Sequence, residues 1–155
     1  MRRQGVLWLV LVVIVGAACG ETTAPLPTGF ASYTGPLGPD TTQQAPARVK
    51  VSGKVLGVSV NLPGVSGDTL AFEPIPRTRL RIMRNVLVEG SATQVLAVEL
   101  LAGAHGEYTV TGLPGGYYIV YAYPPSGSVW ADNWTYLPAM QAEVTADVYL
   151  WKKHP

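Results

Sequence analysis

From Val49 the chain counts in twos. Val49, Val51, Gly53 and Val55 alternate with Arg48, Lys50, Ser52 and Lys54, the period of a strand with one face buried and one wet. The segment TRLRIMRNV, Thr78 to Val86, repeats the pattern with Leu80 and Ile82 on one side and Arg77, Arg79 and Arg81 on the other. Val95 to Leu101, Glu107 to Gly112, Tyr117 to Tyr123 and Ala142 to Trp151 read the same way. No window sustains the three-and-four spacing of a helix, and 17 glycines and 13 prolines interrupt the runs. These signals predict an all-β domain, a sandwich of about seven strands over residues 48–153. A chain of 155 residues that is 48% hydrophobic supports one such core and not two.

The other end of the chain is written for export. MRRQGVLWLVLVVIVGAACG opens with Arg2 and Arg3, runs apolar from Val6 to Val15, and ends in the small residues Gly16, Ala17 and Ala18, which is the order of a secretory signal over residues 1–18. The apolar run is short of the about 20 residues a membrane-spanning helix needs. Cys19 is the only cysteine, so no disulfide partner exists within the chain. VGAAC resembles a bacterial lipobox, in which the thiol receives a diacylglyceryl group and the chain is cut before the cysteine; Gly16 stands where that pattern prefers an aliphatic residue. The resemblance implies a protein anchored to a membrane through lipid on Cys19, exported to the cell envelope at the outer membrane or periplasmic face. A plain secretory cut after Ala18, leaving a free thiol, is the alternative.

Loss of Arg2 and Arg3 takes the 11 basic residues to nine against ten acidic ones, a balance that offers nucleic acid no electrostatic footing. Residues 19–47 are rich in Thr, Pro and Gly without apolar period and read as a flexible tether, about 30 Å end to end by the square-root rule.

GEYTVTGLPGGYYIVYAY, from Gly106 to Tyr123, carries paired glycines before an apolar run. A phosphate cradle needs a helix after the loop, and a strand follows here, so Leu113 to Gly116 reads as a turn at a sheet corner. The same stretch resembles the signature of the carboxypeptidase regulatory-like domains: Gly106 and Tyr108 match its Gly-x-Tyr, Leu113, Pro114 and Gly116 its turn, and Tyr118 the opening of the next strand. The likeness extends more loosely over residues 48–153, through VKVSGKVLG, PIPRTRLRIMRN and AEVTADVYLWK. Gly103 and His105 stand where the family often has aspartates, and Leu56 to Pro76 is a long insertion. The resemblance implies a small transthyretin-like, Ig-like sandwich that accompanies or presents other modules without chemistry of its own.

His105 and His154 are the only histidines, and no Cys-x-x-Cys, His-Glu metal spacing or Gly-x-Ser-x-Gly is present. The expectation is therefore no enzyme, no metal and no cofactor. Two features exceed the needs of a plain sandwich. Arg77, Arg79 and Arg81 share a strand face, either to meet phosphate or to pair with glutamates and guard the sheet. With Tyr118, Val120 and Ala122 inward, Tyr117, Ile119, Tyr121 and Tyr123 face outward, and WADNWTY adds Trp130, Trp134 and Tyr136 around Asp132 and Asn133. Read as a loop, those three rings form a possible ligand surface able to stack on sugars. The expected function is a non-catalytic envelope lipoprotein with a structural or protein-interaction role. The alternative is a carbohydrate-binding module, so the partner is an envelope protein or a polysaccharide.

Overall fold

The computed structural model describes residues 24–35, 48–61, 69–88 and 91–154. The signal segment 1–18, Cys19 and residues 36–47 and 62–68 lie outside them. The described residues form ten strands and no helix: β1 (Phe30–Ser32), β2 (Val49–Asn61), β3 (Thr69–Pro74), β4 (Arg79–Val88), β5 (Ser91–Leu101), β6 (Glu107–Leu113), β7 (Gly116–Tyr123), β8 (Asn133–Ala139), β9 (Glu143–Thr145) and β10 (Val148–Trp151). Two sheets face each other. One has the order β5-β4-β7-β8; the other runs β1-β6-β2-β10, with β3 and β9 also on β2.

β2 is the spine of the second sheet. Its first half pairs with β6 and β9, and its second half with β3 and β10. The change of partner falls at Val55, whose N–H donates to Gly106 O at 2.8 Å while its carbonyl accepts from Ile75 N at 3.0 Å. β9 and β10 arise from the single run read over Ala142 to Trp151. The run breaks at Ala146 and Asp147, where the Asp147 carboxylate takes the Lys54 amide at 2.8 Å in place of a ladder partner.

Alternation decides what is buried. Val49, Val51 and Val55 of β2, Leu80 and Ile82 of β4, Tyr108 and Val110 of β6, and Tyr118, Val120 and Ala122 of β7 all point between the sheets and are buried. Removing a core leucine or isoleucine of this kind from water contributes about 1.5–3 kcal/mol. Two phenols lie in this apolar layer, and each finds a carbonyl: Tyr108 Oη donates to Ala146 O, and Tyr118 Oη to Pro114 O at 2.6 Å. Burial pushes the Tyr118 phenol up to about 12 and Tyr108 in the same direction, because a phenolate there would lose its hydration.

The turn read at Leu113 to Gly116 carries the chain from β6 in one sheet to β7 in the other. Gly116 has φ 147 and Gly106 φ 71, conformations open to glycine and costly to a side chain. Tyr118 reaches back to the turn's own proline carbonyl, so the Leu-Pro-x-Gly-x-Tyr pattern is one hydrogen-bonded corner.

Three strands fall where the sequence reading had none. β8 occupies part of the stretch that reads as a loop in the sequence, and β3 lies within the Leu56 to Pro76 insertion. β1 lies within the stretch read as tether: Thr28 bridges Leu101, and Phe30 to Ser32 pair in parallel with Thr109 to Thr111. Ala31 is buried and Tyr33 packs against the core, so the domain takes in residues well before 48.

Candidate functional site

The three rings proposed as one surface are separated by the fold. Trp130 is 4% exposed and belongs to the core. Its indole lies over Gly57, where a β-carbon would stand 2.5 Å from the ring. Trp130 is held in place by a bridge to Lys152, whose ammonium lies 5.8 Å from the ring centre. Trp134 and Tyr136 are instead on β8, 55% and 50% exposed. There they alternate with inward Leu137 and Ala139. β8 ends its sheet, and an edge strand accepts Pro138 because the missing N–H costs no ladder bond on the free side.

β8 pairs with β7 so that Tyr136 lies beside Ile119 and Trp134 beside Tyr121. Tyr117 and Tyr136 stack with centres 5.9 Å apart, and Tyr121 and Tyr123 at 6.4 Å. Tyr121 Oη bonds Gln94 Oε1 at 3.2 Å, and Arg79 covers Tyr123 at 5.5 Å. This outer face of the four-stranded sheet is a field of tyrosines with a polar border.

The arginine stripe loses a member. Arg77 sits in the turn before β4 with φ 57, while Arg79 and Arg81 converge on Glu99 of β5 at 3.2 and 4.0 Å. The two guanidinium groups are matched to a carboxylate across the sheet, as cross-strand pairing favours.

Trp134 also forms one wall of a groove the sequence reading missed. Leu70 and Phe72 of β3, Tyr149 and Trp151 of β10 and Val58 of β2 line it with Asn133, Thr135 and Asp147, around a volume of about 400 Å³. The register explains the assembly: Trp151 and Phe72 flank Val58 from opposite sides, and Tyr149 lies beside Leu56. Phe72 and Tyr149 meet edge to face at 5.8 Å. Asn133 Nδ2 donates to Tyr149 O at 2.7 Å, fastening the start of β8 to β10. One signal pointed here. On the outward face of β2, Lys50, Ser52 and Lys54 give way to Leu56, Val58 and Val60.

The fold moves the titration of the Glu107 carboxylate. Its own backbone amide and the His105 amide, 2.8 Å from Oε2, hold it below the usual carboxylate range. Among the described residues no three His, Cys, Asp or Glu side chains come together as a metal ligand set.

No known protein family matches the sequence, and no curated protein does either. The fold does have solved relatives. Catechol 1,2-dioxygenase from Acinetobacter radioresistens superposes with a TM-score of 0.51 at 11% identity, over 86% of this chain and 60% of the enzyme. The minor pilin GBS52 of Streptococcus agalactiae gives 0.44 at 16% identity, over 70% of this chain and 46% of the pilin. The dioxygenase domain of a dioxygenase carbohydrate-binding protein fusion from the cellulolytic bacterium Streptomyces sp. SirexAA-E gives 0.42 at 18%, over 86% of this chain and 95% of that domain. The chain thus spans about 60% of the length of the catechol dioxygenase it matches. The catechol dioxygenase likeness agrees with the all-β sandwich seen in the two sheets, and it corrects one expectation. The family resemblance implies a domain without chemistry of its own, yet a solved enzyme uses a similar sandwich, so the architecture gives no ground for excluding catalysis.

Proposed function

We propose that this chain is an exported, lipid-anchored β-sandwich of the cell envelope, similar to the carboxypeptidase regulatory-like domains, that binds a sugar ring of an envelope polysaccharide in the Trp134 groove. The observation that carries the reading is the lining of that groove: exposed Phe72, Trp134, Tyr149 and Trp151 beside Asn133, Thr135 and Asp147. A pyranose presents an apolar face and a rim of hydroxyls, and a site for it combines aromatic rings with a few hydrogen-bonding side chains. Rings left in water forfeit burial worth about 1.5–3 kcal/mol each, which a ligand recovers.

The test uses Trp134→Ala combined with Trp151→Ala, measured by retention on cellulose, chitin and peptidoglycan and by quenching of tryptophan fluorescence. Lost retention with an unchanged melting curve is expected. Wild-type retention by the folded double variant, or no retention of the wild type on any of the three, refutes the reading. The anchor is checked separately. Cys19→Ser is expected to leave the membrane pellet and to stop taking up labelled fatty acid.

The tyrosine face of the four-stranded sheet supports a second role as a protein-interaction surface. Tyr117 is 40% exposed and stacked on Tyr136, and protein interfaces are enriched in tyrosine and poor in free charge.

A further inference from the structure

β5 forms the open edge of its sheet, and among the described residues it pairs in sheet register only with β4. Edge strands of stable monomers are guarded by charge, proline or shortness, because their free N–H and C=O groups invite another strand. β5 is eleven residues long. From Ser91 to Val98 it reads SATQVLAV, without charge, proline or glycine, and Ser91 to Leu96 are all exposed. Its one irregularity is a bulge, where Ile82 pairs with Val98 and Met83 with Leu96.

The far end of the same edge already receives a strand from the chain itself. Leu101 N–H donates to Pro27 O at 2.8 Å, and Gly29 N–H donates to Leu101 O at 2.7 Å, a parallel bridge centred on Thr28. The segment then leaves β5, crosses to β6 as β1, and opens a cleft of about 740 Å³. Phe30, Ala31 and Tyr33 line one wall and Val95 to Glu99 the other. Glu99, the one charged residue of the lining among the described residues, is engaged by Arg79 and Arg81, so the described walls offer no free charge to attract an ionic ligand.

We propose that this cleft takes an extended, uncharged peptide strand from a partner protein, added to the free edge of β5 by main-chain hydrogen bonds. Such a strand continues along β5 the pairing that Pro27 to Gly29 make at Leu101, and it sets alternate side chains against Phe30, Tyr33 and Val95. β1 and β5 line opposite walls of the cleft, and the added strand lies between them. A second copy offers β5 only as half of the β4–β5 hairpin, a wider object. The site is separate from the Trp134 groove and shares no lining residue with it.

The probe is a capped octapeptide alternating threonine and valine, added to the mature protein, with amide hydrogen exchange as the readout. A twin peptide N-methylated at alternate residues serves as control. Protection of the amides of residues 91–99 by the first peptide and not by its twin is expected. Val95→Lys, at a site 49% exposed, is expected to abolish that protection with melting unchanged; Thr93→Lys replaces it if Val95→Lys melts early. No protection at saturating peptide, or equal protection by the N-methylated twin, overturns the proposal. A concentration-dependent dimer in sedimentation that Val95→Lys dissolves also overturns it, by making a second copy the occupant.

Discussion

Trp130 and Trp134 stand four residues apart, and one is core while the other is surface. Residue type does not separate them, and neither does local composition. What separates them is the far side of the contact. Gly57 leaves a gap in β2 the thickness of a side chain, and the Trp130 indole fills it. Trp134 points out from an edge strand and lines a groove with Phe72, Tyr149 and Trp151, which are themselves exposed. A large ring is buried where a partner sheet has made room for it. It otherwise remains available to something else.

The sharpest way to break this contrast is Trp130→Ala, which is expected to cost about 3–5 kcal/mol in chemical denaturation through lost burial and a residual cavity. A loss below about 0.5 kcal/mol, the usual range of surface changes, would mean that Trp130 is not a core residue. Gly57→Ala attacks the same contact from the opposite wall. Its new methyl would stand 2.5 Å from the indole, and overpacking of this kind costs about 1–3 kcal/mol. Because the two substitutions share one contact, their costs should not add: in a Trp130→Ala background, Gly57→Ala should cost far less.

β7 holds the same contrast between adjacent residues, with Tyr118 buried and Tyr117 exposed. Tyr118→Phe leaves the Pro114 carbonyl without its donor, for about 1 kcal/mol at neutral pH. The alkaline limb gives a second readout. The Tyr118 phenol is pushed from 10.0 to about 12, chiefly by desolvation, so the folded state holds its proton after the unfolded chain has released it. The stability linked to it is complete below pH 10.0 and declines as pH rises toward about 12. Tyr118→Phe should shrink that decline without abolishing it, since Tyr108 is displaced the same way. Denaturation midpoints followed from pH 8 to 12 check the sign.

The strands that could be read from sequence are those whose alternation runs the ordinary way. Leu80 and Ile82 of β4, and Tyr108 and Val110 of β6, are apolar inward with Thr or Arg between them, and all four are buried. β8 runs in the reverse phase. Asn133 and Thr135 take inward positions while Trp134, Tyr136 and Pro138 face out, so a rule that sends apolar residues inside returns no strand there. β3 hides in the same way, with Leu70 and Phe72 exposed. β1 is three residues long and held by backbone bonds, which leave little trace in side-chain pattern. The groove is built largely from outward positions of this kind, so the missed strands and the missed site have one cause.

Trp134→Ala should have the smallest effect on folding and is the most informative about the contrast. The ring is more than half exposed, its strand keeps inward Leu137 and Ala139, and its β7 partner across the ladder is Tyr121, held independently by Gln94. Truncation therefore leaves no cavity between the sheets, and the expected change lies within about 0.5 kcal/mol. Pairing this variant with Trp130→Ala tests independence. The two rings lie on opposite faces without a shared contact in the core, so their costs should sum within about 0.5 kcal/mol. A larger coupling would show that the groove leans on the core through β10, since Trp130 neighbours Lys152 and the groove neighbours Trp151. A ligand taken up in the groove raises the melting temperature with or without such coupling; coupling would show as a different rise with the same ligand in the Trp130→Ala variant.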